Sequence, residues 1–170
     1  MSVNDDRIGQ GRWTRLRSED AAQLDAILKE FLTVSGAKCA LLVDKDGYLV
    51  TQQGEAFSFN HDTISALVAG GYGATKEIAR LLGEDEFSVL FHQGKRESIQ
   101  LTLVSDRVLL TVIFDDQTTL GLVRLYASEA AKKLGEVISR LDENSATPAG
   151  HTIGEGFAQN AKDRLDNLFR

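Results

Sequence analysis

With a single cysteine in 170 residues, Cys39, the chain has nothing with which to close an internal disulfide. The thiol sits in an apolar run, "CALLV", where a cysteine serves as a small buried hydrophobe and a reducing compartment suits it. No run reaches the roughly 18 apolar residues that a spanning helix needs, and the start, "MSVNDDRIGQGRW", lacks the apolar core of a signal peptide. These absences predict a cytoplasmic protein. Positive charge is in deficit: 19 Lys and Arg against 25 Asp and Glu leave a net charge of −6. Such a surface repels phosphates at long range, so neither nucleic acid nor an anionic membrane is an expected partner.

Catalytic signals are equally scarce. The three histidines, His61, His92 and His151, are isolated and show no HExxH-type spacing, so no metal site is expected. Ser65 and Ser105 have neither a nearby histidine nor a nucleophile elbow. "GGYGATK" (70–76) superficially suggests a phosphate-binding loop, but Lys76 follows a threonine and the preceding residues are helical rather than a strand. "DKDG" (44–47) with Glu55 hints at a calcium loop, yet its glycine stands fourth rather than sixth. A hairpin turn explains it. The sequence predicts no cofactor and no enzyme.

Periodicity is what the sequence does contain. Residues 1–17 are polar apart from Trp13 and Leu16 and read as a flexible N-terminal arm. From Ser18, the residues Leu24, Ile27, Leu28, Phe31 and Leu32 share one helical face, with Glu19 and Asp20 suited to its N-terminal end. "AKCALLVDKDGYLVTQQG" reads as a hairpin turning at 44–47, its first strand apolar enough to be covered on both faces. A helix over 62–82 follows, then three strands around 87–92, 99–103 and 108–114. A long last helix steps through Leu120, Val123, Ala127, Ala130, Leu134, Val137 and Leu141, capped by Thr118 or Thr119. Residues 143–156 hold the only proline and read as a linker. In 157–170, Phe157, Ala161, Leu165 and Leu168, with Phe169 beside them, would form an amphipathic docking segment. The expected fold is therefore α+β, α-β-β-α-β-β-β-α, with a five-stranded antiparallel sheet covered by helices over residues 18–142.

The helix at 62–82 carries Gly70, Gly71 and Gly73 in its interior, each costing about 1 kcal/mol relative to alanine. Gly83 stands where the helix should end. On a 3.6-residue period Ile64, Leu67, Val68, Ile78, Leu81 and Leu82 form the expected core stripe, with Gly71 and Ala74 or Thr75 in its middle. Opposite lie Ala66, Ala69, Gly70 and Gly73, followed by Glu77 and Arg80. Small residues in place of the usual lysines and glutamates let another backbone approach. That backbone could be the same helix of a second copy or a docked partner. On the strand that follows, Phe87, Val89 and Phe91 make an apolar face beside an edge open to self-association.

"TISALVAGGYGATKEIARLLGEDEF" (63–87), "FHQGKRESIQLTLVSDRVLLTVIFDDQTTLGLVRL" (91–125) and the terminal "LDNLF" resemble the MglB-type members of the roadblock/dynein-light-chain family. The resemblance implies a homodimer whose third strands pair into one ten-stranded sheet, with the glycine helices side by side on one face. It also implies a partner, a small Ras-like GTPase of the MglA type, for which such dimers act as activating proteins in bacterial polarity and motility. They reshape the GTPase active site and supply no arginine finger. In that frame Ala66, Ala69, Gly70, Gly73 and Glu77 become the expected GTPase-docking residues. Phe87, Val89 and Phe91 become the expected homodimer interface. A plain scaffold that dimerises and docks a partner without altering hydrolysis needs the same platform.

Overall fold

The computed structural model describes residues 12, 13, 15–55 and 59–146. Phe157, Ala161, Leu165, Leu168 and Phe169, along with His151 and most of the expected linker, lie outside the described residues. The chain divides into two compact units, residues 1–138 and 139–170.

Within the described residues the elements run in the expected order: α1 (Ser18–Ser35), β1 (Cys39–Asp44), β2 (Leu49–Gly54), α2 (His61–Leu81), β3 (Val89–Gln93), β4 (Ser98–Leu103), β5 (Val108–Phe114) and α3 (Leu120–Ala146). The strands form one antiparallel sheet in the order β2-β1-β5-β4-β3. Every residue of β1 and β5 is buried, which is why both read as continuous apolar runs and not as alternations. Burial pushes the Cys39 thiol up to about 11.

Register assigns the two faces. Cys39, Leu41, Val43 and Ile113 cluster with Ile64 of α2, and Leu101 and Leu109 cluster with Tyr72 and Val68 of the same helix. The other face carries Thr51, whose hydroxyl donates to Asp25 of α1 at 2.5 Å, and Gln100 and Thr102, which lie beside α3. Leu24, Leu28 and Phe31 of α1 and Val123, Ala127, Ala130, Leu134 and Val137 of α3 are buried, as their spacing predicts. Loop chemistry closes the elements. Asn60 accepts hydrogen bonds from the Asp62 and Thr63 amides (2.8 and 3.2 Å) and starts α2, and Gly83 at φ 81° follows its end. Thr119, the later of the two predicted caps, receives the Leu122 amide at 3.3 Å. At Gly47, φ 97°, a Cβ would come within 3.2 Å of the Ala66 Cα, so the first hairpin turn lies directly against α2.

Trp13 departs from the expectation of a free arm. Its indole N–H donates to Asp44 at 2.9 Å, and the other oxygen of this buried carboxylate receives the Asp46 amide at 2.8 Å. The hairpin turn thereby holds the chain just ahead of α1.

The exposed face of the second helix as the candidate functional site

The core face of α2 is not the one its leucines suggest. Ser65, Ala69, Tyr72 and Ala79 are buried, whereas Leu67, Ile78, Leu81 and Leu82 are 70%, 52%, 87% and 70% exposed. Gly71 and Ala74, expected mid-core, are exposed too, while Ile64, Val68 and Thr75 are half-buried. Ala69, expected on the docking face, lies against the sheet at 8% exposure. The cause is Tyr72. Its ring fills the space over Leu101 and Leu109, and the other buried positions of the helix, Ser65, Ala69 and Ala79, are all small. A tyrosine of this size buries more area than any one of the leucines would, and its hydroxyl must also find a partner.

That partner is Glu86, on the loop after α2. The Tyr72 hydroxyl lies 3.0 Å from the Glu86 carboxylate and 3.0 Å from the Phe87 carbonyl. Lys45, from the first hairpin, reaches the same carboxylate at 3.1 Å and sits 5.2 Å above the tyrosine ring; Lys76 adds a longer contact at 3.9 Å. Burial works against the Glu86 carboxylate, but Lys45, Tyr72 and Lys76 together outweigh it and hold its pKa below the usual 4.5. A folded pKa below the unfolded one gives stabilisation that is complete above about pH 4.5 and fades as pH falls through the folded value. Glu86→Gln should therefore unfold at lower urea than wild type at pH 7, with the difference shrinking at pH 3. Parallel curves at both pH values would remove this cluster from the acid response.

The rotated helix leaves an uninterrupted apolar stripe facing outwards: Leu67, Gly71, Ala74, Ile78 and Leu81. Beside it run Ala66, Gly70, Gly73 and Glu77, all exposed as the docking expectation requires. A Cβ added at Gly70, Gly71 or Gly73 would meet nothing within 4 Å. These glycines therefore make no room for the protein's own interior. Arg80 pairs with Glu77 at 3.2 Å on the same surface. Leucines exposed to this degree next to a glycine-lined track make this face the candidate interaction surface. Sequence reasoning places Ala66, Gly70 and Gly73 on the exposed side, and wrongly assigns Leu67, Ile78 and Leu81 to the core from their helical spacing.

The three residues expected at a homodimer interface are placed differently from one another. Val89 is 39% exposed on β3, an edge strand with no neighbour on its outer side among the described residues. Phe91 is half-buried and stacks on Phe114 with centroids 6.0 Å apart. Phe87 precedes the strand, where its carbonyl serves Tyr72. Among the described residues no group of three or more His, Cys, Asp or Glu could hold a metal ion, and no helix is long and apolar enough to cross a membrane.

Known proteins share this arrangement. The Roadblock/LC7 domain model matches residues 23–114. A solved structure of MglB from Myxococcus xanthus is 35% identical, covers 74% of this chain and 95% of its own, and superposes with a TM-score of 0.70. The gliding protein MglB of Thermus thermophilus is 30% identical over the same shares, with a TM-score of 0.69. An uncharacterised protein of Methanocaldococcus jannaschii is 24% identical over 111 residues, 65% of this chain and 96% of that one. The chain therefore belongs to the Roadblock/LC7 family, and in sequence and fold it is similar to that family's MglB proteins.

Proposed function

We propose that this protein is a regulatory partner and activator of a small Ras-like GTPase of the MglA type, acting as a homodimer without a catalytic site of its own. The observation that carries the reading is the α2 surface. It combines exposed leucines and an isoleucine with three glycines whose Cβ positions are open, so both a second α2 and a folded partner can approach the backbone closely. Similarity to MglB supplies the class of partner. No arginine stands alone on this face, since Arg80 is engaged by Glu77. Activation by reshaping the GTPase fits such a surface better than an inserted arginine does.

The same features favour dimerisation. The outer edge of β3 offers unused backbone groups, and Leu67 and Ile78 beside the glycines suit helix-on-helix packing across a two-fold axis. Sedimentation should give about twice the chain mass at tens of micromolar; a clean monomer would refute the dimer. A single-turnover GTPase assay with an MglA-type protein tests the function. Accelerated hydrolysis is the expected result, and binding without acceleration would leave a scaffold.

The segment 157–170 enters as a regulator of the complex. A tethered amphipathic segment acts at an effective concentration in the millimolar range, so even weak docking prolongs a complex. Deleting 157–170 should leave the dimer intact and weaken the GTPase complex or change nucleotide release; identical values in full-length and truncated protein would remove this role.

A further inference from the structure

On the sheet face opposite α2, an open groove of about 530 Å³ runs between β3–β4 and α3. Val89, Gln100 and Thr102 line its floor, and Arg124, Ser128 and Lys132 line its helical wall. We infer that this groove binds an extended acidic peptide segment of a partner protein.

Three observations converge on that occupant. The first is a buried, incompletely satisfied polar group among the residues that line the groove. Gln100 is 1% exposed, its side-chain amide N–H donates to the Thr102 hydroxyl at 3.1 Å, and its Oε1 has no hydrogen-bond partner. A buried acceptor left without a donor costs about 1–3 kcal/mol, so a small rotation of the Gln100 amide towards a peptide N–H in the groove would be favourable. The second is charge. Arg124 and Lys132 form no ion pair among the described residues, in a chain whose net charge is −6. Lys133, one position on, is by contrast neutralised by Glu30 at 3.2 Å on the far side of α3.

The third is spacing. Arg124, Ser128 and Lys132 step by four along α3, so they share one side of the helix, and the two cations stand about 12 Å apart along its axis. A compact anion cannot span that distance. In an extended chain, side chains four residues apart on one face are separated by about 13 Å, with a third midway between them. Acidic residues at alternate positions would thus meet Arg124, Ser128 and Lys132 in turn. The intervening apolar side chains would pack towards Val89, which is 39% exposed in the single chain. Because α2 faces the other way, this groove and the GTPase-docking surface are separable.

The test uses the full chain and a fluorescein-labelled eight-residue peptide of alternating glutamate and valine, read by anisotropy at low salt. Wild type should bind it in the micromolar range, and Arg124→Glu/Lys132→Glu should weaken binding at least tenfold. Ser128→Trp, which fills the groove without changing charge, should do the same. Lys133→Glu, which carries half of the double variant's charge change and lies outside the groove, should stay within twofold of wild type. All four residues are exposed, so the variants should keep the wild-type circular dichroism and melting temperature. A peptide of the same composition with its glutamates in one block should bind several-fold more weakly. The proposal is overturned if wild type does not bind, if Lys133→Glu weakens binding as much as the double variant, if Ser128→Trp binds normally, or if inorganic phosphate competes at concentrations matching the peptide. None of these readouts depends on GTP hydrolysis.

Discussion

Gly70→Arg and Gly73→Arg are each expected to abolish binding of an MglA-type GTPase while the domain still unfolds cooperatively at a midpoint near that of wild type. Both positions are exposed and a new side chain meets nothing in the protein itself, so the fold has no reason to object. Replacing glycine by a good helix former should, from propensity alone, strengthen α2 by a few tenths of a kcal/mol or more. The loss arises outside the chain, where an arginine holds a neighbouring backbone several ångströms away from α2. Pull-down or interferometry against the GTP-bound partner, with sedimentation run alongside, measures it. Dissociation of the dimer by either variant would assign that glycine to self-association, and retained binding in an intact dimer would remove it from the docking surface.

Tyr72→Ala should cost about 3–5 kcal/mol, as large-to-small core substitutions of aromatics do. The ring is 2% exposed and packs on Leu101 and Leu109, and its hydroxyl is one of the groups that hold Glu86. Leu82→Ala, on a side chain 70% exposed, should cost no more than about 0.5 kcal/mol. Urea unfolding of both at one protein concentration gives the comparison. The contrast reverses what the leucine spacing of α2 predicts, and equal losses would contradict the rotation of the helix.

The misplaced face of α2 shows where sequence reasoning stops. In α3 the buried positions Val123, Ala127, Leu134 and Val137 form one long apolar stripe, and periodicity finds them. In β1 and β5 the unbroken apolar runs announce burial on both sides. In α2 two stripes compete, one of Leu67, Ile78 and Leu81 and one of Ala69, Tyr72 and Ala79. Periodicity ranks the leucines higher because it counts apolar character and not the space available beneath the helix. An exposed stripe can be as apolar as one that faces the core. The contacts Trp13–Asp44 and Lys45–Glu86 span 31 and 41 residues, so no local pattern could announce them. The groove beside α3 is equally silent in the sequence, since Gln100, Arg124 and Lys132 acquire a common meaning only once β4 and α3 are side by side.

The one cysteine has a practical consequence. Cys39 is 1% exposed, and a thiol whose pKa is about 11 carries almost no thiolate at neutral pH. Towards maleimides and other thiol-selective reagents the folded chain is therefore blank. A cysteine introduced at an exposed position such as Glu77 or Ser128 would take a fluorophore or a spin label alone, with no background from the native residue. Pairs of such probes across a dimer would turn the α2 surface and the α3 groove into two rulers, read independently in one sample.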